Sequence, residues 1–155
     1  MRRKDREITE FNKMVNILDG CDCCRLGFVD GDEAYIVPLN FGYDVCGEKL
    51  FLYFHSAKAG RKIDLALKQA HAVFEADTGH SLMTGEEACE YSFRYQSVMG
   101  KGTLSIVDNS EEKIHGMRLI MKHYSEKKEW HFDEKVLNAT AVIKLEVTEW
   151  SCKHH

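Results

Sequence analysis

The stretch that most constrains the fold of this 155-residue chain runs from Tyr35 to Leu67. Its first two segments, residues 35–43 and 50–56, are dense in aromatic and aliphatic side chains and predict two β-strands. The third segment, from residue 57, predicts a short helix, because its apolar residues recur at the spacing of one helix face, at Ile63, Ala66, Leu67 and Ala70. We therefore expect two strands that lead directly into a helix.

The first turn of this predicted helix carries three cations, Lys58, Arg61 and Lys62. The free N–H groups of a helix start are already positive, so each such cation costs about 0.3–1 kcal/mol if nothing compensates it. A bound anion would reverse that cost, because helix N-termini bind phosphate and Arg and Lys add donors and charge. The pattern predicts a phosphate-bearing ligand between the two strands and the helix start. The alternative is that the three cations lie on a solvated surface.

Composition and charge exclude several classes of protein. Hydrophobic residues make up 44% and charged residues 30% of the chain, and the net charge is -4, which argues against a broad nucleic-acid surface. No apolar run approaches the roughly 20 residues of a membrane span, and none behind the N-terminus is typical of a signal peptide. We expect residues 1–155 to form a single cytoplasmic domain with no membrane or nucleic-acid partner.

The six cysteines indicate neither a disulfide framework nor a metal site. Cys21 and Cys24 have C-x-x-C spacing, but a zinc site would need a second pair, and Cys46, Cys89 and Cys152 stand alone. Disulfides are rare in a reducing cytoplasm. We expect reduced thiols that pack as small hydrophobic side chains, and no bound metal.

The remaining segments predict short strands with helices inserted between them. Helices are expected at residues 8–18 and from residue 109, and strands at 21–29, 34–43, 50–55, 71–76, 91–107 and 140–147. Pro38 predicts a strand edge or an opening in the ladder, and Gly100 and Gly102 predict bends. The acidic segment 78–90 is expected to be a surface loop. This order predicts a mainly β fold, an antiparallel barrel decorated by helices.

Taken in order, these segments resemble the FMN-binding split barrels related to pyridoxamine 5'-phosphate oxidase, and in particular their nitroimidazole-resistance-like branch. The resemblance covers nearly the whole chain and rests on the opening residues 1–8 and on four further segments: Tyr35-Ile-Val-Pro-Leu-Asn-Phe-Gly-Tyr, Leu52-Tyr-Phe-His-Ser-Ala-Lys, Gly60-Arg-Lys-Ile-Asp and Tyr95-Gln-Ser-Val-Met-Gly-Lys-Gly. It implies a six-stranded antiparallel Greek-key split barrel. It also implies a homodimer with two FMN sites at the subunit interface.

The resemblance also assigns roles to residues by their position. It implies that the isoalloxazine ring runs past Val37, Pro38, Leu39 and Asn40. His55 and Ser56 would lie near the ribityl chain and the phosphate. The phosphate would be held by Lys58, Arg61 and Lys62, in agreement with the anion site predicted from charge alone. The site would be closed by Gln96, Ser97 and Val98, contributed by the other subunit.

The activity implied is the FMN-dependent reduction of a small electron-poor substrate, as in enzymes that reduce a nitro group, with the flavin supplying the electron chemistry. Pyridoxamine 5'-phosphate is a less expected substrate. The true oxidases bind its phosphate with a basic C-terminal segment, whereas residues 148–153 hold one cation, Lys153, and no arginine. Because no acid–base pair stands out, a flavin- or haem-binding module without turnover is the alternative.

Two further residues are candidate substrate contacts. His71 opens a predicted strand and would lie near a substrate in the related proteins, although a structural role is the alternative. Trp130 offers an aromatic face that can stack on a flavin ring, with core packing as the alternative.

Overall fold

The computed structural model describes residues 3–155. Its strands and helices follow in this order: β1 (Glu7–Ile8), α1 (Phe11–Asp19), β2 (Cys24–Asp30), β3 (Glu33–Leu39), β4 (Phe41–Cys46), β5 (Lys49–Ala57), α2 (Arg61–Lys68), β6 (His71–Met83), β7 (Ser92–Ile106), α3 (Ser110–Tyr124), α4 (Glu134–Ala139) and β8 (Thr140–His154). Short 3₁₀ turns are formed by Lys4–Arg6 and Ala88–Glu90. The predicted mainly β class is confirmed. None of the helices in the described part of the chain is long and apolar enough to cross a membrane.

All strands belong to one antiparallel sheet with the hydrogen-bonded order β3-β2-β6-β7-β8-β5-β4, and β1 pairs with β8. Only Asn40 separates the end of β3 from the start of β4, although these strands lie at opposite ends of that order. The sheet must therefore curl until its two edges meet near Asn40. Within residues 3–155 no ladder joins β3 to β4, so the barrel stays open along this seam. This is the split barrel that the resemblance implied.

The strand count is larger than predicted, because residues 3–155 form eight strands and not six. The predicted strand 34–43 is two strands, since the chain leaves one edge of the sheet at Leu39 and joins the other at Phe41. An uninterrupted run of apolar residues in the sequence gives no sign that the chain changes from one partner strand to another. The expected loop 78–90 is also partly wrong, because residues 78–83 continue β6 beyond a register shift between Thr78 and Ser81.

Two predictions about breaks in the ladders are confirmed. Pro38 lies in β3, an edge strand that pairs only with β2 in the described sheet. The register between β7 and β8 shifts between Lys101 and Gly102. A Cβ atom at Gly102 would lie 2.2 Å from the backbone oxygen of Glu146, so this bend leaves no room for a side chain.

The barrel interior is a continuous apolar core. Its largest fully buried side chains include Phe41, Phe54, Leu18, Leu26, Leu50, Leu52, Ile143 and Leu145. The thiols of Cys21, Cys24 and Cys152 pack in the same core, as expected.

Helix α3 packs on the outside of β4 and β5 and forms a second, smaller core. Asn109 caps it at the helix start that the sequence predicts, and its side chain accepts a hydrogen bond from the Glu112 backbone N–H. The sequence predicts an apolar face of α3 formed by Ile114, Met117, Met121 and Tyr124, and this is only partly correct. Met117 packs against the smaller core, but the fully buried residues of α3 are Gly116 and Ile120. The reason is close approach: a Cβ atom at Gly42 of β4 would lie 2.3 Å from the Ile120 nitrogen, so strand and helix meet backbone to backbone.

Candidate functional site

A cavity of about 390 Å³, called here the seam cavity, opens where β3 passes into β4. Three separate segments that the sequence singled out meet around it. Its walls are formed by Pro38, Leu39, Asn40, His55, Ser56, Ala57, Lys62, Ala139 and Thr140. The cavity exists because the two sheet edges converge there without pairing, so no ladder fills the gap. Most of the residues expected beside a flavin ring, ribityl chain or phosphate therefore surround one space.

The end of β5 gives the seam cavity a buried hydroxyl group without a partner. Side chains alternate along this strand, so His55 is exposed while Ser56 is only 7% exposed. The Ser56 Oγ atom has no hydrogen-bond partner among residues 3–155. A buried hydroxyl is normally satisfied, and leaving it unpaired is costly. The site therefore suits a ligand that carries a hydroxyl or phosphate oxygen.

The start of α2 adds a second feature that suits an anion. Gly60 adopts φ 119°, a conformation that favours glycine, and the helix begins at Arg61. No side chain caps this helix start. The Ile63 N–H donates to the Gly60 carbonyl oxygen, so the backbone N–H groups of Arg61 and Lys62 are the ones left to face a ligand. Lys62 lies in this turn and lines the seam cavity. Lys58, in contrast, precedes the helix.

The charge of Arg61 is compensated within the protein. Its Nε atom lies 2.6 Å from Oδ2 of Asp30, and its Nη2 atom lies 3.9 Å from Oε2 of Glu33. The guanidinium carbon also lies 4.7 Å from the centre of the Tyr35 ring. Arg61 is not part of the cavity wall. It stays a predicted phosphate contact, but a phosphate would have to compete with Asp30 for it.

A fourth cation, Lys113, lies in the first turn of α3 and was not predicted from the sequence. Burial and the nearby charge of Lys58 lower the pKa of Lys113 below its usual value. The signal that identified Lys58, a lysine near a helix start, was present here too. The effect of Lys58 on Lys113 depends on how α3 packs on the sheet, which the sequence does not record.

The other predicted cofactor contacts do not line the seam cavity. Val37 is half-buried and packs against the barrel core. Ser97 and Val98 are 8% and 0% exposed, and they lie on β7 between β6 and β8. Gln96 lines a different cavity of about 230 Å³ beside α1. A contact of residues 96–98 with the flavin of another subunit stays a prediction.

The two candidate substrate contacts also lie apart from the seam cavity. His71 is exposed and borders an apolar hollow of about 570 Å³ on the outer face of β2, β3 and β6. Trp130 lies between α3 and α4 and lines a cavity of about 650 Å³ at the C-terminal end of α3. Their roles toward a substrate stay predictions. Residues 3–155 contain no group of three His, Cys, Asp or Glu side chains that could hold a metal ion.

Comparison with known proteins agrees with the fold and with the position of the seam cavity. The model of a family described as pyridoxamine 5'-phosphate oxidase matches residues 12–154. A crystal structure of a candidate 5-nitroimidazole antibiotic resistance protein from Bacteroides thetaiotaomicron is 28% identical, with a TM-score of 0.82, over 96% of this chain and 86% of that one. No curated protein sequence matches the chain significantly.

Two more distant structures share the fold alone. The flavocytochrome Anf3 from Azotobacter vinelandii is 21% identical, with a TM-score of 0.78, over 100% of this chain and 72% of that one. A FAD and haem binding protein from Mycobacterium smegmatis is 18% identical, with a TM-score of 0.79, over 96% of this chain and 72% of that one.

Proposed function

The chain belongs to the pyridoxamine 5'-phosphate oxidase family, and from this premise we propose that it is a flavoprotein that binds FMN in the seam cavity. We propose further that it is an oxidoreductase that reduces a small electron-poor substrate such as a nitroaromatic compound or a quinone. A cytoplasmic location belongs to the same proposal.

One observation carries the proposal: the unpaired Ser56 hydroxyl and the Lys62 ammonium group belong to the wall of the same cavity, beside an uncapped helix start. A phosphate ester supplies what each of these groups lacks. Its oxygens can accept hydrogen bonds from the hydroxyl, from the ammonium group and from the backbone N–H groups of Arg61 and Lys62 at the start of α2. FMN is the smallest redox flavin that carries such a phosphate.

The protein's own contribution is to bind and orient the cofactor. Lys62 and the α2 start would hold the phosphate, Ser56 would satisfy an oxygen of the ribityl–phosphate chain, and residues 38–40 would border the ring. When bound, the flavin supplies the electron transfer to the substrate. With Lys62 on the phosphate, His55 is the remaining ionisable side chain of the cavity wall, so a proton needed by the substrate would come from His55 or from water.

We also propose that the protein works as a homodimer. The outer face of β2, β3 and β6 exposes a cluster of large apolar side chains: Val29 is 65%, Ile36 63% and Val73 57% exposed. Ile36 and Val73 flank Gly27 on either side in the ladder register, so they are neighbours on one surface. Extended apolar patches of this kind mark interfaces. A second copy of the chain is the occupant that fits a family whose barrels are expected to pair.

The test is spectroscopic and then kinetic. The purified protein, loaded with FMN, is titrated without oxygen with NADH and with NADPH, and turnover of a nitroimidazole and of a quinone is measured. The proposal predicts a bound flavin spectrum, bleaching by one of the donors and steady turnover of an acceptor. Bound FMN without reduction or turnover would instead indicate a flavin-binding module. A Soret band, or no affinity for flavin, would reject the FMN proposal.

A further inference from the structure

Helix α2, which carries the proposed phosphate site, is tied to the end of β2 at both of its own ends. At its C-terminal end, the side-chain amide of Gln69 forms two hydrogen bonds with the backbone of Val29. Its Nε2 atom donates to the Val29 carbonyl oxygen, and its Oε1 atom accepts from the Val29 N–H at 3.4 Å. The ladder between β2 and β6 ends at the pair Gly27–Val73, so this amide takes the place of β6 beside Val29.

At its N-terminal end, α2 is tied to the same hairpin through Arg61. The Nε atom of Arg61 lies 2.6 Å from Oδ2 of Asp30, the residue that follows Val29. Its Nη2 atom lies 3.9 Å from Oε2 of Glu33, and its guanidinium carbon lies 4.7 Å from the centre of the Tyr35 ring. These three contacts direct the side chain toward the β2–β3 hairpin.

The next residue, Lys62, points in a different direction. Consecutive residues of an α-helix are rotated by about 100° around its axis. Arg61 is exposed and is not part of the cavity wall, whereas Lys62 is half-buried and lines the seam cavity. Because both residues belong to one helical turn, contacts that fix the direction of Arg61 also fix the direction of Lys62.

We propose that the guanidinium group of Arg61 is a positioning group of the phosphate site and not a phosphate ligand. Bound to Asp30, and with Gln69 bound to Val29 at the other end, it holds α2 so that Lys62 and the first backbone N–H groups face the seam cavity. This inference rests on the proposed flavin site. It assigns different roles to two adjacent cations that carry the same charge.

The two possible roles of Arg61 predict opposite effects of Asp30→Asn on FMN binding. If the guanidinium were a ligand, Asp30→Asn would release it for the phosphate, and FMN would bind more tightly. If it positions α2, FMN should bind about two- to fivefold more weakly, the range of an exposed ion pair, and riboflavin, which lacks the phosphate, should be unaffected. Asp32→Asn is the matched control. It removes the same charge from the same hairpin, and Asp32 has no ion pair among residues 3–155.

Gln69 provides a second test, because it lies at the other end of α2 and does not line the seam cavity. Gln69→Met keeps a side chain of similar length and removes the amide. FMN should again bind about two- to fivefold more weakly, with riboflavin unchanged. Tighter binding of FMN by Asp30→Asn than by Asp32→Asn, an unchanged FMN affinity, or equal weakening of FMN and riboflavin would overturn the positioning role.

Inorganic phosphate, titrated alone, separates this inference from the flavin proposal. If the wild type binds phosphate but neither flavin, the flavin proposal is rejected, and weaker phosphate binding by Asp30→Asn than by Asp32→Asn keeps the positioning role. Binding of neither phosphate nor FMN by the wild type would reject both. Melting temperatures show whether each variant is folded.

Discussion

Leu39 and Phe41 are two residues apart in the chain, yet they belong to the two opposite edges of the sheet. Because only Asn40 connects β3 to β4, the two edges of the sheet are brought together and the barrel closes. A single connecting residue cannot form a ladder between these strands, so the barrel also stays open along the seam. The seam cavity lies at this point, and its wall includes Leu39 and Asn40. The proposed cofactor site is thus a direct consequence of the sheet topology.

The contact between β4 and α3 predicts a strong effect of a small substitution. Gly42→Ala places a methyl group 2.3 Å from the backbone of α3, so the helix must move away from the sheet. We expect a loss of about 1–3 kcal/mol in the free energy of unfolding, as for overpacked cores. Denaturant unfolding measures this loss.

Gly20→Ala is the matched control for this substitution. Gly20 has φ -80°, and a Cβ atom there would meet its nearest neighbour at an ordinary 3.5 Å. We expect a change within about 0.5 kcal/mol, typical of substitutions away from special features. Equal stability of the two variants would show that β4 and α3 are not in backbone contact.

The exposed apolar face of β2, β3 and β6 predicts how the dimer can be disrupted. Ile36→Lys puts a charge in the centre of that face, where it would have to be buried on association. We expect the wild type to be a dimer at micromolar concentration and the variant to be a monomer, measured by light scattering. Leu67→Lys is the control, because Leu67 is 69% exposed on α2 and should not affect association. A wild-type monomer with flavin still bound would contradict the proposed dimer.

Five of the six cysteines should react with alkylating agents in two groups. Burial raises the pKa of Cys21 and of Cys152 to about 12 and also raises that of Cys24, so these thiols stay protonated at pH 8. Because the thiolate is the reactive form, they should be modified slowly in the native protein. Cys46 and Cys89 are exposed and should be modified first. Mass spectrometry of iodoacetamide-treated protein, native and in urea, checks this order, and rapid native modification of Cys152 would contradict the packing of the core.

The raised pKa values of the buried cysteines also predict a loss of stability at alkaline pH. An unfolded thiol releases its proton near its ordinary pKa of 9.0, whereas folded Cys21 and Cys152 keep theirs to about 12. Between these values the folded state binds more protons, so the free energy of unfolding falls as pH rises. Urea midpoints at pH 8 and pH 10.5 should differ in that direction, and the difference should shrink in Cys152→Ala.

The sequence could predict those features of the fold and the site that are determined by residues close together in the chain. The lysine near the α2 start, the edge position of Pro38 and the cap at Asn109 could all be predicted, because each follows from residues within a few positions. The partner of Arg61 could not, since Asp30 is 31 residues away and reaches α2 only through the curvature of the barrel. Lys113 was missed for the same reason. Its burial depends on where α3 packs, and no spacing in the sequence records that.

The phosphate site at the start of α2 is the central claim, and the affinities of FMN and riboflavin test it most directly. Lys62→Gln removes a charged contact worth about 1.5–3 kcal/mol, so FMN should bind at least tenfold more weakly while riboflavin, which lacks the phosphate, is unaffected. Arg61→Gln is the paired variant, and a smaller effect on FMN is expected because Asp30 already holds that guanidinium. If Lys62→Gln leaves the ratio of the FMN and riboflavin dissociation constants unchanged, the phosphate does not bind at α2 and the account is wrong.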